Sequence, residues 1–318
     1  MTRDPATLLA EAVAGSRAAL ARLITYVESG GANQREVVAS AYRAAPPYVV
    51  GLTGPPGAGK STLTDQLIAT ALAHGALGAV RLEEVGVLCV DPSSPFTGGA
   101  ILGDRVRMQD HATDERVYIR SLATRGHLGG LSLAVPDAVR VLGAVGFPVV
   151  FVETVGVGQM EVDIASAADT TIVVTNPGWG DAMQANKAGL LEVADIFVIN
   201  KADRAGLAET RRDLEQMLDL GAVREPRPPI VATVASTGEG TEELWDAIVD
   251  HHDLLLGDGV LAHRQRQARA DLDRVLAVAV RARVGALAGR PAYDEQVALL
   301  VAGATDPYRA AEALLSEP

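Results

Sequence analysis

Residues 54–61 read GPPGAGKS, a lysine and a hydroxyl closing a glycine-rich run. The spacing matches G-x-x-x-x-G-K-[ST], in which glycines let backbone N–H groups wrap a phosphate while the helix start that follows adds unpaired donors and a favourable dipole. Gly54, Pro55, Pro56, Gly57, Ala58 and Gly59 are therefore expected to cradle phosphate oxygens. Lys60 should reach the β- and γ-phosphates, Ser61 should ligate Mg2+, and Thr62 should meet the α-phosphate. An apolar run lies before the loop and STLTDQLIATALA after it, a strand-loop-helix context that a chance glycine turn lacks. The expected ligand is a nucleoside triphosphate.

Metal and sensor residues should hang from neighbouring strand ends. Asp91 closes VGVLCVD and Glu153 closes PVVFVE. A carboxylate ending a buried strand is costly unless it faces a metal or a hydrogen-bonding partner. Two of them beside a phosphate loop point to metal ligation, direct or through water. Asp104 lies in PSSPFTGGAILGDRVRM, a segment of the kind that orders around a γ-phosphate and magnesium, and is the third expected ligand. Gly156 would offer its N–H to the γ-phosphate.

The chain has only three lysines, and one of them, Lys201, stands in VINKAD at the end of an apolar run. An Asn-Lys-x-Asp run after a phosphate loop has a chemical use. The Asp203 carboxylate can accept two hydrogen bonds from guanine, at its ring N–H and its exocyclic amine, and adenine offers no such edge. Asn200 would hold loops together and face the base, with the Lys201 stem along the ring plane. In VASTGEG, residues 234–240, a backbone N–H near Ala235 or Ser236 would meet the guanine carbonyl. The expected nucleotide is GTP, with GDP as product.

The elements that must position these residues follow from periodicity. Seven short apolar runs, YVVGLTG, VGVLCVD, RVYIR, PVVFVET, TTIVVTN, IFVIN and IVATV, alternate with helix-compatible stretches. That pattern predicts an α/β fold, a P-loop NTPase with a mostly parallel sheet, helices on both faces and functional residues at the carboxyl ends of the strands. Residues 1–45 read as an N-terminal helical extension, with Asp4-Pro5 and Ser16 as helix starts and Gly30-Gly31 as a stop. Residues 46–256 read as the nucleotide domain and 257–318 as a C-terminal helical arm. Ala268, Leu272, Val275 and Ala279 form an apolar stripe there, and Asp306-Pro307 opens a last short helix.

Composition excludes several classes. With a net charge of −12 the chain lacks the basic balance that DNA, RNA or anionic lipid would attract, so no nucleic-acid or membrane partner is expected. Cys89 is the sole cysteine, which excludes an internal disulfide and a cysteine-based zinc or iron-sulfur site, and it should be a small buried hydrophobe. No run approaches the roughly 18 apolar residues of a membrane span, and the expected location is the cytoplasm. The pair His251-His252 reads as a solvated helix end.

Taken together, GPPGAGKST, DPSSPFTGGAILGDRVRM, YIRSLATRGHLGGLS, ETVGVGQ, NKAD and TGEG resemble the ArgK/MeaB-type GTPases of the SIMIBI class, which include the human methylmalonic aciduria type A protein. The resemblance covers about residues 48–250. It implies a chaperone of an adenosylcobalamin-dependent acyl-CoA mutase, most often methylmalonyl-CoA mutase, that uses GTP to gate loading of cofactor and removal of damaged cobalamin. It further implies a homodimer through the C-terminal arm and admits a cobalamin adenosyltransferase as a second partner. GDAMQANKAG resembles the family's switch III, with Asp181, Gln184 and Lys187 at its polar positions. Where relatives often read GVGQSE this chain reads GVGQMEVD, so Met160 removes a local hydroxyl beside Gln159. By analogy with other GTPases, Gln159 is the candidate for orienting the attacking water, alongside Lys60 and Glu153 as catalytic groups. Arg105, Arg107 and Arg120 are candidates for a charge-stabilising arginine. Two other readings stand beside this one: a metal-insertion GTPase, which usually carries His-rich or Cys-paired tracts, and a small-molecule kinase, which would need an acceptor pocket with a base.

Overall fold

The computed structural model describes residues 3–91, 111, 113–123, 134–154, 160–178, 192–220 and 225–316, of which the side chains of residues 91, 160–163 and 258–260 are outside the description. The seven apolar runs become the strands of one sheet. In chain order these are β1 (Tyr48–Thr53), β4 (Val85–Asp91), β5 (Val117–Ala123), β6 (Val149–Thr154), β7 (Thr170–Thr175), β8 (Ile196–Asn200) and β9 (Ile230–Thr233); β2 (Ala76–Leu77) and β3 (Val80–Arg81) form a separate two-stranded ladder. The strand order is β5-β4-β6-β1-β7-β8-β9, and every neighbouring pair is parallel.

The strands are Val- and Ile-rich with no polar face because both sides are covered, as parallel sheets require. On one face α4 (Lys60–His74) and α8 (Thr241–Leu254) close a core that includes Leu52, Leu63, Phe151 and Trp245. On the other lie α5 (Ala134–Val145) and α6 (Met160–Ala167), and α7 (Leu207–Leu220) packs against β8 through Leu214, Phe197 and Ile199. Gly51 in β1 has no room for a side chain, because a Cβ there would stand 2.9 Å from Ala168 Cβ beneath α6.

Of the N-terminal helices, α1 (Pro5–Val13) and α2 (Arg17–Ser29) start where the sequence signals predict, whereas α3 (Gly31–Ala41) begins at the glycine pair read as a stop, with no side-chain cap to announce it. Asp4 Oδ2 accepts the Thr7 N–H at 2.8 Å and Ser16 Oγ accepts that of Ala19 at 3.3 Å. These helices bury Leu8, Leu23 and Ile24 completely, in the same core as Val150 and Leu142, so they are part of the main body's packing.

The chain divides into two compact units, Met1–Arg264 and Gln265–Pro318. Within the second run the rest of α9 (Val260–Leu287), α10 (Pro291–Val301) and α11 (Pro307–Ser316). Asp306 Oδ1 caps the last of these by accepting from the N–H groups of Tyr308 and Arg309 at 3.0 and 3.1 Å. The apolar stripe of α9 is exposed within the single chain, Leu272 at 59% and Val275 at 55%. Among the described residues no helix is long and apolar enough to cross a membrane.

Candidate functional site

The glycine-rich loop joins the carboxyl end of β1 to the first turn of α4, and its glycines are held to that residue type by contacts. Gly54 has φ +136 and a Cβ there would lie 2.0 Å from the Val174 carbonyl oxygen on β7. Gly59 has φ +92, and its Cβ would lie 2.4 Å from Asn200 Nδ2. Left-handed backbone and close approach both demand glycine at these two positions. Lys60 opens α4 and is buried, and its ammonium donates to the carbonyls of Gly54 at 2.7 Å and Pro55 at 3.0 Å. Thr62 is exposed on the same turn.

Parallel pairing sets Leu52 of β1 beside Glu153 of β6, and this brings Glu153 against α4. Glu153 is only 5% exposed. Oε1 accepts from Ser61 Oγ at 2.6 Å, and Oε2 from Thr64 Oγ1 at 3.3 Å. A buried carboxylate is tolerable on these terms because each oxygen has a donor. The pairing Cys89↔Glu153 puts the end of β4, and with it the backbone of Asp91, on the neighbouring strand. The Asp91 side chain lies outside the described residues, as do Asp104, Gly156, Gln159, Asp181, Gln184 and Lys187, together with Arg105 and Arg107. Among the described residues no group of three His, Cys, Asp or Glu could hold a metal ion.

The Asn-Lys-x-Asp run lies at the end of β8 and is tied directly to the phosphate loop. Asn200, 2% exposed, donates from Nδ2 to the Ala58 carbonyl at 2.8 Å. Its Oδ1 accepts from Thr233 Oγ1 at 3.2 Å and from the Ala235 N–H at 3.0 Å, so one amide clamps β8, the 234–240 loop and the phosphate loop. Lys201 stands at φ 59, a left-handed conformation uncommon for a non-glycine residue, and its ammonium bonds the Gly57 carbonyl at 2.6 Å. Asp203 is exposed beyond it. Since the Ala235 N–H is taken by Asn200, Ser236, also exposed, is the neighbour whose N–H remains for a ligand.

One candidate is set aside and one expectation changes. Arg120 is not near the loop: it reaches Thr25 Oγ1 at 3.2 Å and pairs with Glu28, binding the edge strand β5 to α2. His251 and His252 are no solvated helix end. His252 is 3% exposed and stacks edge-on against Tyr48 with ring centroids 4.9 Å apart, while His251 Nδ1 meets Thr170 Oγ1 at 2.8 Å. Burial in this cluster pushes the Tyr48 phenol well above its ordinary value, so it remains neutral. Close by, buried Asp169 accepts the Val49 N–H at 2.8 Å and meets His263 at 2.9 Å and Arg264 at 3.3 Å. These groups sit at the amino ends of β1 and β7, the opposite end from the phosphate loop. Thr64 also went unread in the sequence, although a hydroxyl three residues after Ser61 on one helical face was a legible sign.

Known proteins resemble this chain over most of its length. The family described as Methylmalonyl Co-A mutase-associated GTPase MeaB matches residues 20–286. A Pyrococcus abyssi protein named as a GTPase is 48% identical over 309 residues, which is 95% of this chain and 93% of its own. The mitochondrial methylmalonic aciduria type A homolog of Mus musculus is 34% identical over 328 residues, covering 95% of this chain and 77% of its own. Among solved structures, that of an LAO/AO transport system kinase superposes with a TM-score of 0.72 at 25% identity, over 99% of this chain and 98% of that one.

Proposed function

Because the chain belongs to the Methylmalonyl Co-A mutase-associated GTPase MeaB family, we propose that its GTP cycle serves an adenosylcobalamin-dependent acyl-CoA mutase, gating cofactor loading and protecting or reactivating the mutase. The observation that carries the reading is the family match over residues 20–286, joined to a site in which Asn200 links the base motif to the phosphate loop. Methylmalonyl-CoA mutase is the proposed client, and a cobalamin adenosyltransferase is a further candidate partner. The arm, residues 257–318, is proposed to hold two copies together, the nucleotide domain being 46–256 and the helical extension 1–45; the exposed Leu272 and Val275 support the dimer.

In this reading GTP lies along residues 54–62. Lys60 exchanges the Gly54 and Pro55 carbonyls for β- and γ-phosphate oxygens, Thr62 meets the α-phosphate, and Gly156 donates to the γ-phosphate. Asp203 takes the ring N–H and amine of guanine, and the Ser236 N–H takes its carbonyl. The Lys201 stem lines the base while its ammonium holds the Gly57 carbonyl. Magnesium fits the donors present, since Ser61 and Glu153 are hard oxygen groups 2.6 Å apart. Ser61 and Glu153, with Asp91 and Asp104, would hold it, and bound there it would neutralise charge on the β- and γ-phosphates. Gln159 is proposed to orient the attacking water, and Asp181, Gln184 and Lys187 to carry the nucleotide state to the client.

Phosphate release from GTP, with ATP as control, tests the reading with and without the purified mutase. The expected result is turnover of GTP only, accelerated by the mutase. GTP turnover that the mutase leaves unchanged would remove the client while keeping the GTPase.

A further inference from the structure

Glu153 is held at both oxygens by hydroxyls from the first two turns of one helix, Ser61 on Oε1 at 2.6 Å and Thr64 on Oε2 at 3.3 Å. Thr64 is fully buried, and its one proton is shared between Oε2 at 3.3 Å and the nearer Lys60 carbonyl at 3.0 Å. Threonine inside a helix ordinarily back-bonds to the carbonyl four residues earlier, so the Lys60 contact is generic and the Glu153 contact is particular to this site. The two components also differ in stiffness. A β-branched side chain is restricted at χ1, whereas the terminal torsion of glutamate is broad. The Ser61 contact leaves Oε2 to be placed by other groups, and among the described residues the stiff Thr64 hydroxyl meets that oxygen, where it restricts the turn of the carboxylate plane.

We propose that Thr64 is a positioning residue for GTP hydrolysis, orienting the Glu153 carboxylate so that Ser61 directs its proton at Oε1 and keeps its lone pairs available to Mg2+. This rests on the assignment of Ser61 and Glu153 to the metal site. Ser61 has one proton and must serve two neighbours, the carboxylate through its hydrogen and the cation through its oxygen. That division works only while Oε1 stays where the proton points.

The test compares Thr64→Val, which keeps the shape without the hydroxyl, with Thr64→Ser, which keeps the hydroxyl without the methyl, each alone and combined with Glu153→Gln. Mg2+ affinity is read in the GDP complex from the fluorescence of a labelled guanine nucleotide, and turnover is read as kcat and KM for GTP. Thr64→Val is expected to weaken Mg2+ about tenfold and lower kcat about tenfold with KM within about twofold, the scale of one charge-assisted hydrogen bond. Thr64→Ser is expected to restore both, and Thr64→Val should add nothing once Glu153→Gln is present. Wild-type Mg2+ affinity and kcat in Thr64→Val, no rescue by serine, or an equal further loss beside Glu153→Gln would each overturn the proposal. Should Glu153→Gln alone leave Mg2+ affinity and turnover intact, the metal-site assignment itself falls, and the role of Thr64 with it.

Discussion

Gly59 shows how one residue serves two motifs. Its left-handed φ of +92 would strain any side chain, and the place of its Cβ is claimed by Asn200 Nδ2 at 2.4 Å. Gly57, at φ +78, carries the same backbone constraint but has open space around it. The pair therefore separates strain from collision. Gly59→Ala is expected to push Asn200 off the Ala58 carbonyl and the Ala235 N–H, leaving buried polar groups unpaired at a cost of about 1–3 kcal/mol and GTP binding weaker by at least about tenfold beyond the effect of Gly57→Ala. Titration of both variants with a fluorescent GTP analogue measures this, and equal losses would show that Asn200 yields without consequence.

Among the elements, β1 and β7 matter at both ends. At the carboxyl end they meet through Gly54 and Val174, where the phosphate loop begins. At the amino end Asp169, 3% exposed, accepts from Val49 and receives His263 and Arg264 from the first turn of α9. Asp169→Asn keeps one acceptor oxygen for three claimants and removes the charge that the guanidinium faces. We expect a loss of about 2 kcal/mol, in the range for hydrogen bonds to charged groups and reduced because Arg264 is partly solvated. Urea unfolding monitored by circular dichroism would read this as a lower midpoint with an unchanged slope. An unchanged midpoint would mean that His263 and Arg264 contribute nothing through this contact.

At the scale of the whole molecule, the second unit presents more apolar surface than a solvated helix needs. Leu272, Val275 and Leu276 are each at least half exposed on α9, and exposed apolar patches of this kind mark association surfaces. If the arm joins two copies, Leu272→Asp combined with Val275→Asp converts a dimer into a monomer in sedimentation velocity while basal GTP hydrolysis persists, since neither residue belongs to the proposed nucleotide site. A variant that sediments as the wild type would assign dimerisation, or its absence, to another surface.

Local pattern sufficed for the strands, the helix starts that carry a side-chain cap and the phosphate loop. Apolar runs of strand length, Asp4, Ser16 and Asp306 at helix entries, and GPPGAGKS each act on neighbours a few residues away, so a linear reading reaches them. Strand order was not so encoded. Only the sheet sequence β5-β4-β6-β1-β7-β8-β9 puts Glu153 beside β1 and against α4, and only the end of β8 brings Asn200 to a carbonyl 142 residues earlier. The same limit explains why the histidine pair was misread: His252 looks like a solvent residue by type, and what buries it, Tyr48, arrives from far along the chain, as does the Glu28 of α2 that pairs Arg120. Periodicity reports which side of an element is apolar, whereas the identity of its partner depends on packing the whole sheet.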